Sequence, residues 1–302
     1  MLEVSLSTMW AKGRFSHMME FVAKAKELGF THVEANASVS PRMLSELLKT
    51  AVPFSSIHAP CPAVLSSRGI PVSSLSLSSP DESERTEAVA FIKKTIDLAA
   101  NVKARAIVLH MGETPIDLTL RDKLYQLCNG GHTQIEEYRH AKEKLISQRI
   151  LHVPPYLDAA RKSLHELCEY SQQKGIMLGL ETRFHPNEIP NIDEMAELLN
   201  GVPETVAGYW HDVGHAEVQQ QLGFSLHEEW LSRFQDRLIG IHLHDIHGIS
   251  DHHVPGRGNM NWEMIARYLP SGVVKVCEIG EWNDEDQMRG VVKFLQKKGI
   301  IR

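Results

Sequence analysis

No apolar run in this 302-residue chain approaches the roughly 20 residues that a membrane-spanning helix needs. The opening MLEVSLSTMW has no basic segment followed by an apolar one, so no secretory signal is expected and a cytoplasmic location is. Cysteine is scarce and scattered. Cys61, Cys128, Cys168 and Cys277 form no CxxC pair, which predicts reduced, mostly buried thiols rather than a disulfide framework. Positive charge is also in deficit, with 32 Lys and Arg against 38 Asp and Glu and a net charge of −6. Phosphate backbones are bound through Lys and Arg, so that balance counts against a nucleic-acid partner unless a local basic groove is hidden in it. No linker, low-complexity tract or charge block interrupts residues 1–302, and the expectation is one domain. A hydrophobic fraction of 42% is ample for its core.

Histidine, by contrast, is plentiful, at 17 residues. Five fall between Ile241 and Gly258 in IHLHDIHGISDHHVPGRG, together with Asp245 and Asp251. Neighbouring imidazoles repel when protonated and bury polar nitrogens when neutral, so crowded His and Asp beside a strand read first as metal ligands.

Along the chain, short apolar strands alternate with segments of helical spacing. Strands are expected at Leu2–Thr8, His32–Asn36, a run ending at Ile57–Pro60, Ala106–His110, Met177–Glu181, Val206–Asp212, Leu238–Asp245 and Val273–Glu278. Helices are expected over 15–28, 41–50, from Ser79-Pro80-Asp81-Glu82 to about 101, 155–174, 192–199, 226–238 behind a Ser225 cap, 262–268 and 286–298. Eight strand–helix units in strict alternation predict a (β/α)8 barrel. A doubly wound sheet is disfavoured, because no glycine-rich phosphate loop follows the first strand. Residues 113–155 break the rhythm with polar helical stretches and are read as an excursion, or lid, over the C-terminal mouth.

The ends of the strands carry the chemistry. Strands three to six end in His58, His110, Glu181 and Asp212, strand seven carries His242, and strand eight ends in Glu278. In a barrel these positions converge on the C-terminal mouth. One such residue means little, but six drawn from His, Asp and Glu are costly to bury without a cation. His215 follows Asp212 by three residues, and Asp251-His252-His253 adds a further carboxylate and imidazoles. His17, His32, His132, His140, His152 and His165 lie outside the pattern. Glu34 reads equally as a mouth residue or as a solvated or packed one. Arg183 and Arg257 could bind a phosphate or carboxylate bidentately or lie on the surface. Trp210 and Trp282 could wall a substrate or fill the core.

The series IHAP, VLHMG, LGLET, WHDVGH, HLHD, DHHVPGRG and KVCEIGE resembles the xylose isomerase-like barrel superfamily. In its ligand positions it looks most like the endonuclease IV branch (AP endonuclease family 2), whose members hold three zinc ions. The resemblance covers most of the chain outside the excursion. It implies one ion on His58, His110 and Glu181, a second on Glu181, Asp212, His242 and Glu278, and a third on His215, Asp251 and His253. For this last position, spacing from Asp251 picks His253 and spacing back from Gly256 picks His252; His253 is preferred. His244 is then expected to face substrate or to support the ligands.

The resemblance implies two chemistries. Hydrolases of this branch use the whole cluster, with up to three divalent ions, expected to be zinc. Sugar isomerases and epimerases use one Mn, Mg or Zn ion, with Glu181 and Glu278 as the acid–base pair. Because all the extra ligands are present, the primary expectation is a hydrolase of a phosphoester or amide bond in a small polar substrate. Isomerase or epimerase is the alternative. Abasic-site DNA cleavage ranks lower, because the loops ANASVSPRM and CPAVLSSRGIPVSS carry little positive charge. Cobamide amide cleavage ranks equally low. Oligomeric state is not set by the sequence.

Overall fold

Eight short strands lie side by side in chain order: Ser5–Ser7, His32–Ala35, Phe54–His58, Ala106–Leu109, Met177–Glu181, Ala207–Asp212, Leu238–Leu243 and Val274–Cys277. The last pairs with the first, so the parallel sheet closes into the expected barrel with its helices outside. The structure, a computed structural model, describes residues 3–302; Leu2, the expected start of the first strand, lies outside them. Among the described residues no helix is long and apolar enough to cross a membrane. Cys61, Cys168 and Cys277 are buried free thiols and Cys128 is half-buried.

Strand alternation sorts the side chains into layers. Ala106, Val108, Trp210, Val274 and Val276 form an apolar plug inside the barrel, and the polar strand-end residues sit above it. Trp210 is therefore the floor of the mouth rather than a wall for substrate. It is fully buried, with its ring centroid 5.3 Å from that of His242. The indole has room because Gly179 and Gly240 lie beneath it; a Cβ on either would collide with its ring atoms.

Several boundaries differ from the sequence reading, each for a local reason. Glu82–Val102 is capped by Asp81, whose carboxylate accepts the Ser83 and Glu84 N–H groups, rather than by Ser79. His227–Phe234 starts behind Leu226, and Ser225 instead accepts the Trp230 indole N–H at 2.8 Å. The last helix is split into Glu285–Met288 and Val291–Lys297 by Gly290, whose φ of 84° lies in the left-handed region that favours glycine. Val213–Gln221 is a helix that the sequence pattern hides. Its residues 213–219 are all buried, so no polar face marks its period.

The excursion forms a helix, Leu118–Asn129, and then one continuous helix, Glu136–Lys174, running through Pro154 and Pro155. An interior proline typically costs a helix about 3 kcal/mol. Here both halves are anchored. Tyr138, Ala141 and Leu145 pack with Leu124, while Ala160, Leu164 and Leu167 join the main core. Arg149, just before the prolines, pairs bidentately with Glu194 at 2.6 and 2.7 Å. Tyr138 also donates to the Leu222 carbonyl at 3.0 Å, tying the excursion to the mouth-facing helix Val213–Gln221.

Because Trp210 fills the space over Gly240, Gly240→Ala should destabilise the fold by about 3 kcal/mol. Urea unfolding would show this, and Trp210→Leu in the same chain should recover part of the loss. An unchanged midpoint for Gly240→Ala would contradict the packing described.

Candidate metal centre

The barrel brings the acidic and imidazole strand ends into one layer around Glu181. This carboxylate closes the fifth strand and is fully buried. Its Oε2 lies 2.6 Å from His110 Nε2 and 3.6 Å from His58 Nε2, and its Oε1 lies 2.6 Å from His242 Nδ1. Arg183 Nη1 donates to the same Oε2 at 2.6 Å. Burial pushes the Glu181 carboxyl up, but the imidazoles of His110, His242 and His58 outweigh it and hold it well below the usual carboxylate range.

His242 is the second hub. Its Nδ1 faces Glu278 at 3.1 Å and Asp212 at 3.5 Å as well as Glu181, while Nε2 faces Glu34 at 3.1 Å. Glu34 is fully buried and also accepts from Ser56 at 2.6 Å, so of its two readings the structure selects the packed mouth residue. Burial opposes charge on His242, yet Glu278, Glu34, Asp212 and Glu181 raise its pKa well above the ordinary value. Four buried carboxylates around one imidazole are a surplus of negative charge.

The third gathering lies at the rim. Asp212 caps the helix Val213–Gln221 by accepting the His215 N–H at 2.7 Å, which turns His215 back over the mouth. His215 Nδ1 faces the Thr182 carbonyl at 2.9 Å and must donate to it, leaving Nε2 free toward Asp251, 3.6 Å away. His252 repeats the arrangement: Nδ1 donates to the Glu278 carbonyl at 3.1 Å, and Nε2 lies 3.6 Å from Asp251. Burial and the neighbouring His244 hold the His252 pKa below the usual range, favouring the neutral form that ligates metals. A histidine whose far nitrogen donates to a carbonyl is the usual support for a metal ligand.

This corrects the preference for His253. The segments Asp245–His247 and Ser250–His253 form an antiparallel hairpin, which the sequence reading had merged into strand seven and a loop. Ordinary alternation would put Asp251 and His253 on one face. His252 instead has a φ of 54°, a left-handed backbone rare outside glycine, and this rotation brings its ring to the side of Asp251. His253 is left with Ser250 at 3.0 Å and the His247 ring.

Three donor groups result, each with its ligand atoms within 4.8 Å of one another: His58, His110 and Glu181; Glu181, Asp212, His242 and Glu278; and His215, Asp251 and His252. Eight of the nine expected ligand positions are thus brought together. The donor chemistry, carboxylate and imidazole with Glu181 common to two groups, fits divalent cations of the Zn, Mn or Mg kind.

The residues proposed for substrate fare differently. His244 is fully buried; its Nε2 donates to Asp212 at 3.0 Å and its Nδ1 accepts the His252 N–H at 2.9 Å, so it braces the ligands. Arg183 is likewise committed, to Glu181 and to Glu188 at 2.6 Å. Arg257 lies exposed in the turn beyond the hairpin. Trp282 is also exposed, which removes the core reading for it. Asp245, one of the crowded His and Asp residues but in no ligand set, organises this loop by accepting from Gly256 N at 2.8 Å, Met260 N at 2.9 Å and Trp262 Nε1 at 3.1 Å. Gly258 is required here because a Cβ would strike the Asp245 carboxylate. The glycines of VPGRG were the legible trace of that contact.

Among curated proteins, the uncharacterised y4fM of Sinorhizobium fredii is 24% identical over 286 residues, covering 86% of this chain and 78% of its own. A D-tagatose 3-epimerase-like protein superposes with a TM-score of 0.69 at 19% identity, over 98% of this chain and 96% of its own. D-psicose 3-epimerase from Clostridium cellulolyticum H10 gives 0.67 at 15% identity, over 98% and 99%. The AP_endonuc_2 family model matches residues 22–298, and the chain belongs to that family, the xylose isomerase-like TIM barrels.

Proposed function

We propose that this chain is a divalent-metal isomerase or epimerase acting on a small polyhydroxylated carbonyl compound of the sugar class. The observation that carries the reading is the central group, in which the Glu181 and Glu278 carboxylates approach the same His242 Nδ1, at 2.6 and 3.1 Å. Two carboxylates flanking one point can take a proton from a carbon beside a carbonyl and return it from the other side. The likeness to sugar 3-epimerases over nearly the whole chain supports the same choice. It reverses the order expected from the sequence, where the hydrolase stood first.

When bound, a divalent ion on Glu181, Asp212, His242 and Glu278 supplies Lewis-acid polarisation of a carbonyl and its neighbouring hydroxyl, and ions on all three groups would suit displacement at phosphorus or an amide carbon. Arg183 keeps Glu181 ionised and fixed in orientation, as a base requires. Glu34 holds His242 from behind. The apolar plug around Trp210 closes the barrel below, so water reaches the reacting carbon only from the mouth. A cavity of about 160 Å³ is lined by His58 and His110, and one of about 250 Å³ under the excursion helix reaches Arg183 but none of the donor residues. Arg257 on the rim is the candidate contact for an anionic substituent, and the excursion helices are the candidate cover.

A second reading, the small-molecule phosphoester or amide hydrolase, is favoured by one observation: the rim group of His215, Asp251 and His252, for which single-ion proton transfer has no need.

Glu181→Gln and Glu278→Gln should each lower turnover of a ketose by about 10²–10⁴-fold. Deuterium uptake from solvent at the epimerised carbon should fall with it. Wild-type protein that shows no such exchange with any of a ketose panel, yet cleaves a phosphodiester, would put the hydrolase first.

His252→Ala and His253→Ala separate the two candidates for the rim ligand. Elemental analysis after zinc loading should show one ion fewer per chain for His252→Ala and no loss for His253→Ala. The reverse pattern would restore His253.

A further inference from the structure

Outside the barrel wall, behind the rim group, lies a fully buried polar chain that the mechanism does not use. The Thr182 hydroxyl meets the Tyr209 hydroxyl, which meets His211 Nδ1 at 2.6 Å. His211 Nε2 faces His227 Nε2 at 3.0 Å, and His227 Nδ1 faces Glu217 at 3.0 Å. Thr182, Tyr209, His211 and His227 have no exposed surface, and Glu217 has only 8%.

The direction of every hydrogen bond follows from one end. Glu217 also accepts from the Gln220 and Gln221 amides, at 3.2 and 2.9 Å, so its oxygens act as acceptors. His227 Nδ1 must then donate to it. With one proton on each ring, His227 Nε2 accepts from His211 Nε2–H across 3.0 Å. His211 Nδ1 accepts from Tyr209, and Tyr209 accepts from Thr182. This arrangement satisfies every atom of the chain.

The chain also closes on itself. The Thr182 carbonyl accepts His215 Nδ1–H at 2.9 Å, and His215 and Glu217 lie on the same helix, Val213–Gln221. The circuit His215–Thr182–Tyr209–His211–His227–Glu217 thus clamps that helix to the fifth and sixth strands at two points within one turn. We propose that Tyr209, His211 and His227 are positioning residues that hold Thr182 and the helix in place and so aim His215 Nε2 at the rim group. They thereby govern cation binding by His215, Asp251 and His252. The inference rests on the reading that this group holds a cation.

Its test combines a measurement that needs no metal with one that uses zinc alone. In the full-length protein without added metal, ¹⁵N NMR of the histidines should show His215 and His227 as Nδ1–H tautomers and His211 as Nε2–H. Tyr209→Phe keeps the ring, stacked on Trp230 at 6.0 Å, and removes the link. It should shift the His215 signals and weaken the zinc equivalent lost in His215→Ala by about 10–100-fold, with the other equivalents and the melting temperature nearly unchanged. Thr182→Val should act likewise and Thr182→Ser should restore the wild-type values, which a loss of folding in Tyr209→Phe would leave readable. His211 found as Nδ1–H overturns the circuit without any reference to metal. A wild type that binds several zinc ions with these variants unaltered overturns the positioning role alone. A wild type that binds one zinc ion overturns the role at the rim, and leaves the isomerase reading to its own exchange assay.

Discussion

Glu181 is the residue on which the arrangement of the mouth depends. It is a carboxylate with no exposed surface, touched by three imidazoles and one guanidinium. Burying such a group in isolation is prohibitive, and pairing makes it tolerable only when geometry is good. The fifth strand supplies the position, its neighbours supply His110 and Asp212, and the next strands on either side supply His58 and His242. None of these side chains can move alone, because each is part of the charge compensation of another. The apolar plug reinforces this: with Trp210 closing the barrel beneath, there is no water below to screen the carboxylates, so compensation must come from above or from a cation.

That constraint explains what was legible in the sequence. A barrel strand ends where its inward residue reaches the mouth, so His58, His110, Glu181, Asp212, His242 and Glu278 could be read from strand periodicity alone. Their meeting at one centre follows from closure of the sheet. Residues that depend on turn geometry were not legible. Choosing between His252 and His253 required knowing that one histidine adopts a left-handed backbone, and no spacing rule contains a φ angle. The helix Val213–Gln221 was missed because it is buried all round and has no polar face to mark its period. His227 was passed over because it sits in a helix far from any strand end, and its partner His211 because alternation aims it out of the barrel. The two become visible together only when the helix is packed on the sheet.

The choice of chemistry turns on how the three donor groups are built. Glu181 belongs to two of them, so an ion bound on the His58–His110 side would draw electron density from the same carboxylate that the central group offers as a base. A second cation there would strengthen the charge stabilisation that a displacement needs while weakening Glu181 as a proton acceptor. The two functions therefore compete at a single residue. This competition weighs for the proposed proton transfer more than a count of ligands weighs against it. A complete set of donors is compatible with proton transfer only if occupation of the outer groups is weak or absent during turnover.

The parts of the centre also differ in rigidity. The central group stands on barrel strands whose register is fixed on both sides by neighbouring strands. The rim group stands on a helix N-terminus and a hairpin, elements attached to the barrel rather than woven into it. Asp251 and His252 are held by the strained backbone at His252, by the His252 N–H to His244, and by the carbonyl of Glu278. His244 in turn grips Asp212, a donor of the central group. Strain of the left-handed kind persists only where surrounding contacts over-determine it; here the contacts to His244 and to the Glu278 carbonyl lead back to the central group, while Gly280 N–H and Asn283 hold the His252 carbonyl. Formation of the rim site is consequently coupled to the state of Asp212 and Glu278. A cation held by Asp212 would fix that carboxylate and, through it, His244 and the His252 N–H, so filling of the rim should follow filling of the centre rather than precede it.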